Sequence, residues 1–299
     1  MRVSKQRCGG RWAEYRCPWF NRVLAIYILF DDTTNVSTAV SFENADMPHP
    51  SSDLTLGIMA KYWTVGKVKT RLGHSIGMNA AAEIHREFVL RLCRQLAAVQ
   101  SRRVLAIAPD SDGARLREQP ELAAWEIIPQ GDGDLGDRMS RFFQTQLGFQ
   151  SQRSVESQRD TSSRETPASR VILIGADCPL LGESDIANAA QQLETHDIVL
   201  GPAIDGGYYL IGFRGPWSDR FGRLFHEMPW SSSDVFAITK QRAEETQLSL
   251  AVLPENEDID TIECLDRLRD HLNQSRLENR SLAEFADRID TILSHNPAS

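Results

Sequence analysis

Short apolar runs that alternate with stretches of helical periodicity, from Leu54 to near the C-terminus, restrict this chain to very few architectures. Residues 54–60, 104–108, 125–128, 171–174, 198–200, 208–213 and 248–253 read as strands. These runs are apolar almost throughout rather than alternating, so both faces of each strand must be covered. That is the pattern of a mostly parallel sheet with helices on both sides, a three-layer α/β sandwich. Between the strands, helices are predicted at 79–99, where Ile84, Phe88, Leu92 and Leu96 recur every four residues, and at 135–147, 183–193, 233–246 and 262–272. Leu282, Phe285, Ile289 and Ile292 predict a last helix at about 281–294. One departure from alternation is instructive. The strands at 198–200 and 208–213 follow each other across Ala203-Ile-Asp-Gly-Gly207, which predicts an antiparallel pair joined by an Asp-Gly turn. In a sheet of this kind ligands sit at the carboxyl ends of the strands.

The flanking sequence has a different character. Residues 1–52 lack sustained periodicity and end in the polar, proline-bearing Met47-Pro-His-Pro-Ser-Ser52, so they read as an extension to a single domain at 53–299. Residues 149–170 are rich in Ser, Gln and Arg and read as a mobile surface insertion. The apolar run from Val23 to Phe30 is far shorter than the ~20 residues needed to span a bilayer. Five widely spaced cysteines without a C-x-x-C pair suggest neither a disulfide framework nor a zinc knuckle, and fit a reducing cytoplasm. With 41 acidic against 33 basic residues the chain is a poor general binder of nucleic acid, so any phosphate site must be local.

Five polar clusters fall where strands end. After the first strand, Ala60-Lys-Tyr-Trp-Thr-Val-Gly66-Lys67-Val-Lys69-Thr70-Arg71 sets Lys61, Lys67, Lys69 and Arg71 around a flexible glycine, a loop able to hold phosphates or simply a solvated basic loop. Gly175-Ala-Asp177-Cys-Pro179 follows the most apolar strand, and a carboxylate there suits Mg²⁺ or Mn²⁺, which one or two carboxylates hold together with phosphate oxygens. A turn would explain the same Asp. In Asp205-Gly206-Gly207-Tyr208 the glycines allow close approach of a substrate and Asp205 offers a second carboxylate, although a plain hairpin turn accounts for the motif. Glu257-Asp258-Ile-Asp260-Thr-Ile-Glu263 supplies two further metal candidates, with Asp260 and Glu263 spaced like a capping box. Gly133-Asp134-Leu135-Gly136-Asp-Arg138 joins a strand to a helix and could line a nucleotide pocket, or Asp134 could be an N-cap only. Finally, Trp230 is either core or part of an acceptor wall, and Ser231 lies in an S-x-x-D capping pattern.

In this order the segments MAKYWTVGKVKTRLG, GDGDLGDRM, LIGADCPLL, DIVLGPAIDGGYYLIGF, PWSSSDVF and EDIDTIECL resemble the rSAM/selenodomain-associated transferase 1 family over roughly residues 54–268. The resemblance implies a GT-A, or nucleotide-diphospho-sugar transferase, fold, with distant likeness to guanylyltransferases. It maps the metal aspartate to Asp177 and the phosphate loop to Lys61, Lys69 and Arg71. Tyr62 to Thr64 and the insertion before Val171 depart from the family pattern. The expectation is a transferase using Mg²⁺ or Mn²⁺, a nucleotide or nucleotide-sugar, and an acceptor. Asp177, Lys69, Arg71 and Asp205 are the expected catalytic set, and Asp205, Asp258 or Asp260 the second metal ligand. Nucleotidyl transfer and non-catalytic nucleotide binding are the alternatives. No Gly-x-Ser-x-Gly elbow is present, and Cys178 beside a carboxylate is expected to be a poor thiolate.

Overall fold

The computed structural model describes residues 15–16, 23–24, 53–148, 169–230 and 232–295. Two units divide the chain, Met1–His49 and Pro50–Ser299. In the first, Tyr15–Arg16 pairs antiparallel with Val23–Leu24. The rest of the predicted extension, positions 149–168 of the predicted insertion, and Ser231 lie outside the described residues.

Among its described residues the second unit carries seven strands: β1 (Leu54–Lys61), β2 (Arg102–Ala108), β3 (Glu126–Pro129), β4 (Arg170–Gly175), β5 (Ile198–Pro202), β6 (Tyr208–Arg214) and β7 (Leu250–Val252). Their order in the sheet is β3-β2-β1-β4-β6-β5-β7. All neighbours are parallel except β6, which runs antiparallel to both β4 and β5. The predicted antiparallel pair is therefore present, with an irregularity at Gly201/Pro202 where the register shifts. Arg170, assigned from sequence to the insertion, is instead the first residue of β4 and pairs with Asp53 at 2.9 Å.

Side chains alternate across the strands as the pleat requires. Leu56 and Ile58 of β1 join Ile172 and Ile174 of β4 in a core beneath α2 (Met78–Gln95). On the other face Val171 and Leu173 pack with Phe142 and Phe143 of α3 (Leu135–Leu147). Gly57 lies on that second face, and a Cβ there would come within 2.2 Å of the Phe142 ring, so α3 can sit this close only over glycine. The remaining long helices are α4 (Glu183–Gln192), α5 (Val235–Glu245), α6 (Ile262–Ser275) and α7 (Arg280–His295). A third cluster joins α2 to α6 and α7 through Phe88, Leu265 and Phe285.

Several boundaries differ from the sequence reading by one to four residues. The helix predicted at 79–99 stops at Gln95, and the one predicted from residue 233 starts at Val235 with Asp234 as N-cap. A seven-residue helix, Thr70–Ile76, was not predicted; only Leu72, Gly73 and Ile76 of it are buried, too few to print a helical stripe.

Candidate active site

The carboxyl ends of β1, β4 and β5 open on the same rim, and backbone hydrogen bonds tie their loops together. Ile259 N–H donates to Asp177 O at 2.9 Å, Asn256 N–H to Pro202 O at 3.0 Å, and Ile204 N–H to Asn256 O at 3.1 Å. The segment 256–260 is thus stitched to the loop after β4 on one side and to the 203–207 turn on the other. Four aspartates from three separate segments come together here, and Asp177, Asp205 and Asp260 all lie close enough to Asp258 to act on it electrostatically.

Into this rim reaches Lys69. Its ammonium donates to Asp177 Oδ1 at 2.5 Å, to Ile259 O at 2.6 Å and to Asp260 Oδ1 at 3.2 Å, and it lies 5.3 Å from the centre of the Phe88 ring. The side chain of Lys69 is 2% exposed, while those of Asp177 and Asp260 are 45% and 34% exposed. One cation therefore holds two carboxylates from below and leaves their outer oxygens facing the cavity. Lys69 adopts φ 43°, a left-handed conformation costly for a residue with a Cβ, just before the Thr70–Ile76 helix. Arg71, largely exposed, reaches Asp260 Oδ2 at 3.8 Å.

The charges are tuned by this geometry. Burial, the largest influence on Lys69, lowers its pKa, but Asp177 and Asp260 together outweigh it and hold it above the ordinary lysine value. Burial likewise pushes the Asp177 carboxyl up, and Lys69 and then His85 pull it back below its usual range. Among the described residues no cation pairs with Asp258: burial first, and Asp205 next, raise its carboxyl. Cys178 is buried, with its thiol pushed up by burial and further by Asp177, so it is a poor nucleophile.

A cavity of about 630 Å³ covers Lys69, Asp177 and Asp260, within the range of small-molecule sites. Of the sequence candidates, Ala60, Lys61, Lys67, Lys69, Thr70, Arg71, Gly133, Asp134, Leu135, Arg138, Asp177, Tyr208 and Asp260 line it. Gly66, Gly136, Asp205, Gly206, Gly207, Trp230 and Asp258 are not part of that lining. Gly66 sits at the exposed tip of the basic loop with φ 73°. Gly136 is buried against Trp230 and Phe225, where a Cβ would lie 2.8 Å from the indole. Trp230 thus packs on α3, with Tyr208 edge-on at 6.5 Å. Gly206, with φ 89°, touches Ser233, and its carbonyl accepts from Phe236 N–H. Asp205 Oδ1 accepts from Gly207 N–H at 2.9 Å, the self-closing turn that an Asp-Gly hairpin predicts.

The capping alternatives resolve differently. Asp134 caps α3 in a reciprocal box with Asp137. Asp260 does not cap α6, whose N-cap is Thr261; its carboxylate is used by Lys69 and Arg71 instead. Asp234 receives the Ser232 hydroxyl as acceptor of its N–H at 3.0 Å.

Two residues of the cavity escaped the sequence reading as ligand candidates. Gln130 donates to Ala60 O at 2.8 Å and Ala106 O at 3.0 Å, closing the ends of β1 and β2, and accepts from Arg138 at 3.4 Å. His85, buried on α2, places Nε2 3.0 Å from Lys61 O. Burial, the leading influence, pushes its imidazole below the ordinary value. Its place one turn before Phe88 on the apolar stripe, where a polar residue is out of pattern, was the available signal.

Among the described residues no three His, Cys, Asp or Glu side chains are grouped so as to hold an ion by themselves. The donor set nevertheless suits a hard divalent cation that shares its coordination with phosphate: Asp177 and Asp260 present oxygen donors to the cavity, with cations beside them to meet phosphate, and Asp258 stands close by.

A family profile described as "Uncharacterized protein conserved in bacteria (DUF2064)" matches residues 91–232. That stretch includes Arg138, Asp177, Asp205 and Trp230 but begins after the basic loop. A candidate nucleotide-diphospho-sugar transferase from Desulfovibrio desulfuricans G20 superposes with TM-score 0.63 at 27% identity, covering 83% of this chain and 100% of its own. A cytidylyltransferase from Leptospira borgpetersenii gives TM-score 0.46 at 12% identity, covering 83% and 98% of the two chains. The 4-diphosphocytidyl-2C-methyl-D-erythritol synthase of Anaerococcus prevotii gives 0.44 at 10% identity, covering 74% and 98%. Only the first of the three bears on the fold, which is the mixed, mostly parallel α/β sandwich of the nucleotide-diphospho-sugar transferases. No curated protein matches the chain. No helix of the described residues is long and apolar enough to cross a membrane.

Proposed function

We propose that the chain is a divalent-metal-dependent transferase that takes a nucleotide-sugar and passes its glycosyl group to an acceptor. It would be a member of the rSAM/selenodomain-associated transferase 1 family and act in the cytoplasm. The observation that carries this reading is the convergence of Lys69 with Asp177 and Asp260 under a cavity of about 630 Å³ at the carboxyl ends of the strands. The name given to the Desulfovibrio desulfuricans protein supports the same class.

In this reading the exposed Lys61, Lys67 and Arg71 meet the diphosphate and offset the charge that builds on it as the sugar bond breaks. Lys69 takes a different part. Fully engaged from below, it fixes the two carboxylates at the cavity wall. Asp177 and Asp260, with Asp258 beside them, would hold Mg²⁺ or Mn²⁺, which would supply positive charge against the leaving diphosphate. Arg138, braced by Gln130 and by Gly133 O at 3.1 Å, borders the remainder of the nucleotide, and Tyr208 the acceptor side. No protein nucleophile is required.

Nucleotidyl transfer is the second reading, favoured by the cations Lys61, Lys67, Arg71 and Arg138 that line the one cavity, enough for a triphosphate. Incubation with a panel of nucleoside triphosphates and nucleotide-sugars separates the two. Release of a nucleoside diphosphate from a nucleotide-sugar supports the first, and release of pyrophosphate the second. Nucleotide binding without turnover of any member of the panel would sink both.

A further inference from the structure

The loop that begins at Asp177 also borders a second cavity, of about 620 Å³, between α2, the start of α4 and the start of α7. Its carboxylates are matched. Glu87 receives Arg94 at 2.5 Å and Arg288 at 3.3 Å, Asp185 accepts the Gly182 N–H at 2.8 Å, and Glu284 pairs with Arg280 at 2.9 Å.

Arg91 is not matched. It is 6% exposed, and its Nε donates to Pro179 O at 3.0 Å while Nη1 reaches Ser281 O at 3.4 Å and Ser281 Oγ at 3.5 Å. Its guanidinium lies 4.3 Å from the centre of the Phe285 ring. Among the described residues no carboxylate pairs with it and Nη2 has no hydrogen-bond partner. Glu87 acts on it from a distance, but both oxygens of that carboxylate are taken by Arg94 and Arg288, and a buried guanidinium so incompletely matched is costly unless something supplies more charge. Burial first, and Arg94 next, lower its pKa to about 10, so it stays cationic at neutral pH.

One helical turn on, Gln95 gives Nε2 to Leu180 O at 3.4 Å and Leu181 O at 2.8 Å. Both partners are carbonyls, which fixes the amide orientation and leaves a buried Oε1 with no donor among the described residues. The wall therefore lacks an acceptor for Arg91 and a donor for Gln95, four residues apart on one helix face.

We propose that this cavity is a second ligand site, separate from the nucleotide cavity, that takes a small oxyanion also bearing a hydroxyl, such as a phosphate monoester or hydrogen phosphate, against Arg91. Acceptor oxygens meet Nη2, and the P–OH or a sugar hydroxyl is the donor available to Gln95. This inference does not depend on the transferase reading, because the two cavities share no lining residue.

Titration calorimetry of the full chain with inorganic phosphate tests it. To remove the first cavity's contribution, the comparison is made in a Lys67→Ala/Arg71→Ala background, which takes away two exposed cations of that cavity, with Arg91→Met and Ser281→Asp added singly. Ser281→Asp is the variant that guards against misfolding: it gives Arg91 an internal carboxylate and puts an acid in the first turn of α7, where the helix dipole favours it. The double variant is expected to keep one phosphate per chain, and either added change to weaken it at least tenfold. In the parent chain, Ser281→Asp is expected to remove one phosphate and leave the other. Phosphate binding unaltered by Ser281→Asp in both backgrounds overturns the site, as does its complete loss in the folded double variant.

Discussion

Lys69 Nζ and Asp177 Oδ1 lie 2.5 Å apart although 108 residues separate them in sequence. The contact joins the loop after β1 to the loop after β4, the two neighbouring central strands, so the parallel pairing of those strands is what brings them together. Lys69 is sealed beneath the rim and Asp177 is open to the cavity, so the pair is asymmetric. In the proposed reading the lysine organises, and the carboxylate meets the ligand.

Replacing Lys69 by Met removes the cation while keeping most of the buried stem. Turnover is expected to fall on the order of 10²–10³-fold, the effect of losing one preorganised electrostatic group. The kcat of the variant and its circular dichroism spectrum together check this. Retained secondary structure with near-normal kcat would assign Lys69 to folding alone.

The acidic rim predicts opposite pH signatures for two neighbours. The Asp177 pKa is depressed in the folded chain, so its contribution to stability is present above the unfolded value of about 3.9 and is lost as pH falls through the folded value. The Asp258 pKa is raised, so its neutral form favours folding at low pH and its ionisation becomes a cost as pH rises. Asp258→Asn is therefore expected to raise Tm at neutral pH without added metal, with the gain vanishing at acidic pH. Added Mn²⁺ should stabilise the parent chain more than the variant. Thermal melts across pH, with and without Mn²⁺, measure both effects.

Two glycines on the rim should respond unequally to alanine. At Gly206 a Cβ would fall 2.0 Å from Ser233 O on top of φ 89°, and the change is expected to cost several kcal/mol, above the ~1–3 kcal/mol of backbone strain alone. Gly66, with φ 73° and nothing within 4 Å, should lose only the left-handed penalty of about 1–2 kcal/mol. Urea unfolding of the two variants ranks them.

In the core, Phe143 is fully buried between Phe213, at 4.4 Å, and Phe142, at 5.6 Å. Phe143→Ala is expected to destabilise by about 3–5 kcal/mol, read from the same unfolding curves.

How much of this was legible beforehand follows from what each signal depends on. The strands were readable because each is a continuous apolar run, and the lone antiparallel strand because Asp205-Gly206-Gly207 permits only a short turn. The Thr70–Ile76 helix was not readable, since it buries three residues and is held by its neighbours rather than by its own pattern. Lys69, Asp177 and Asp260 were each recognisable as chemistry at a strand end. Which of the basic residues turns inward was not, because the burial of Lys69 depends on the left-handed backbone at that residue and on the 256–260 segment folding over it. Gly136 and Trp230 show the converse. Their residue types suggested a ligand wall, whereas the close helix packing that gives Gly136 its place is a tertiary property.

The central claim is that Asp177 and its neighbours hold a divalent ion and a nucleotide phosphate together. Calorimetric titration of nucleotide into the full chain, with Mn²⁺ and then with chelator, for the parent and for Asp177→Ala, tests it most directly. The account predicts affinity at least tenfold weaker in chelator, and the same weak affinity for Asp177→Ala with or without Mn²⁺. Equal affinity in all four titrations would contradict it.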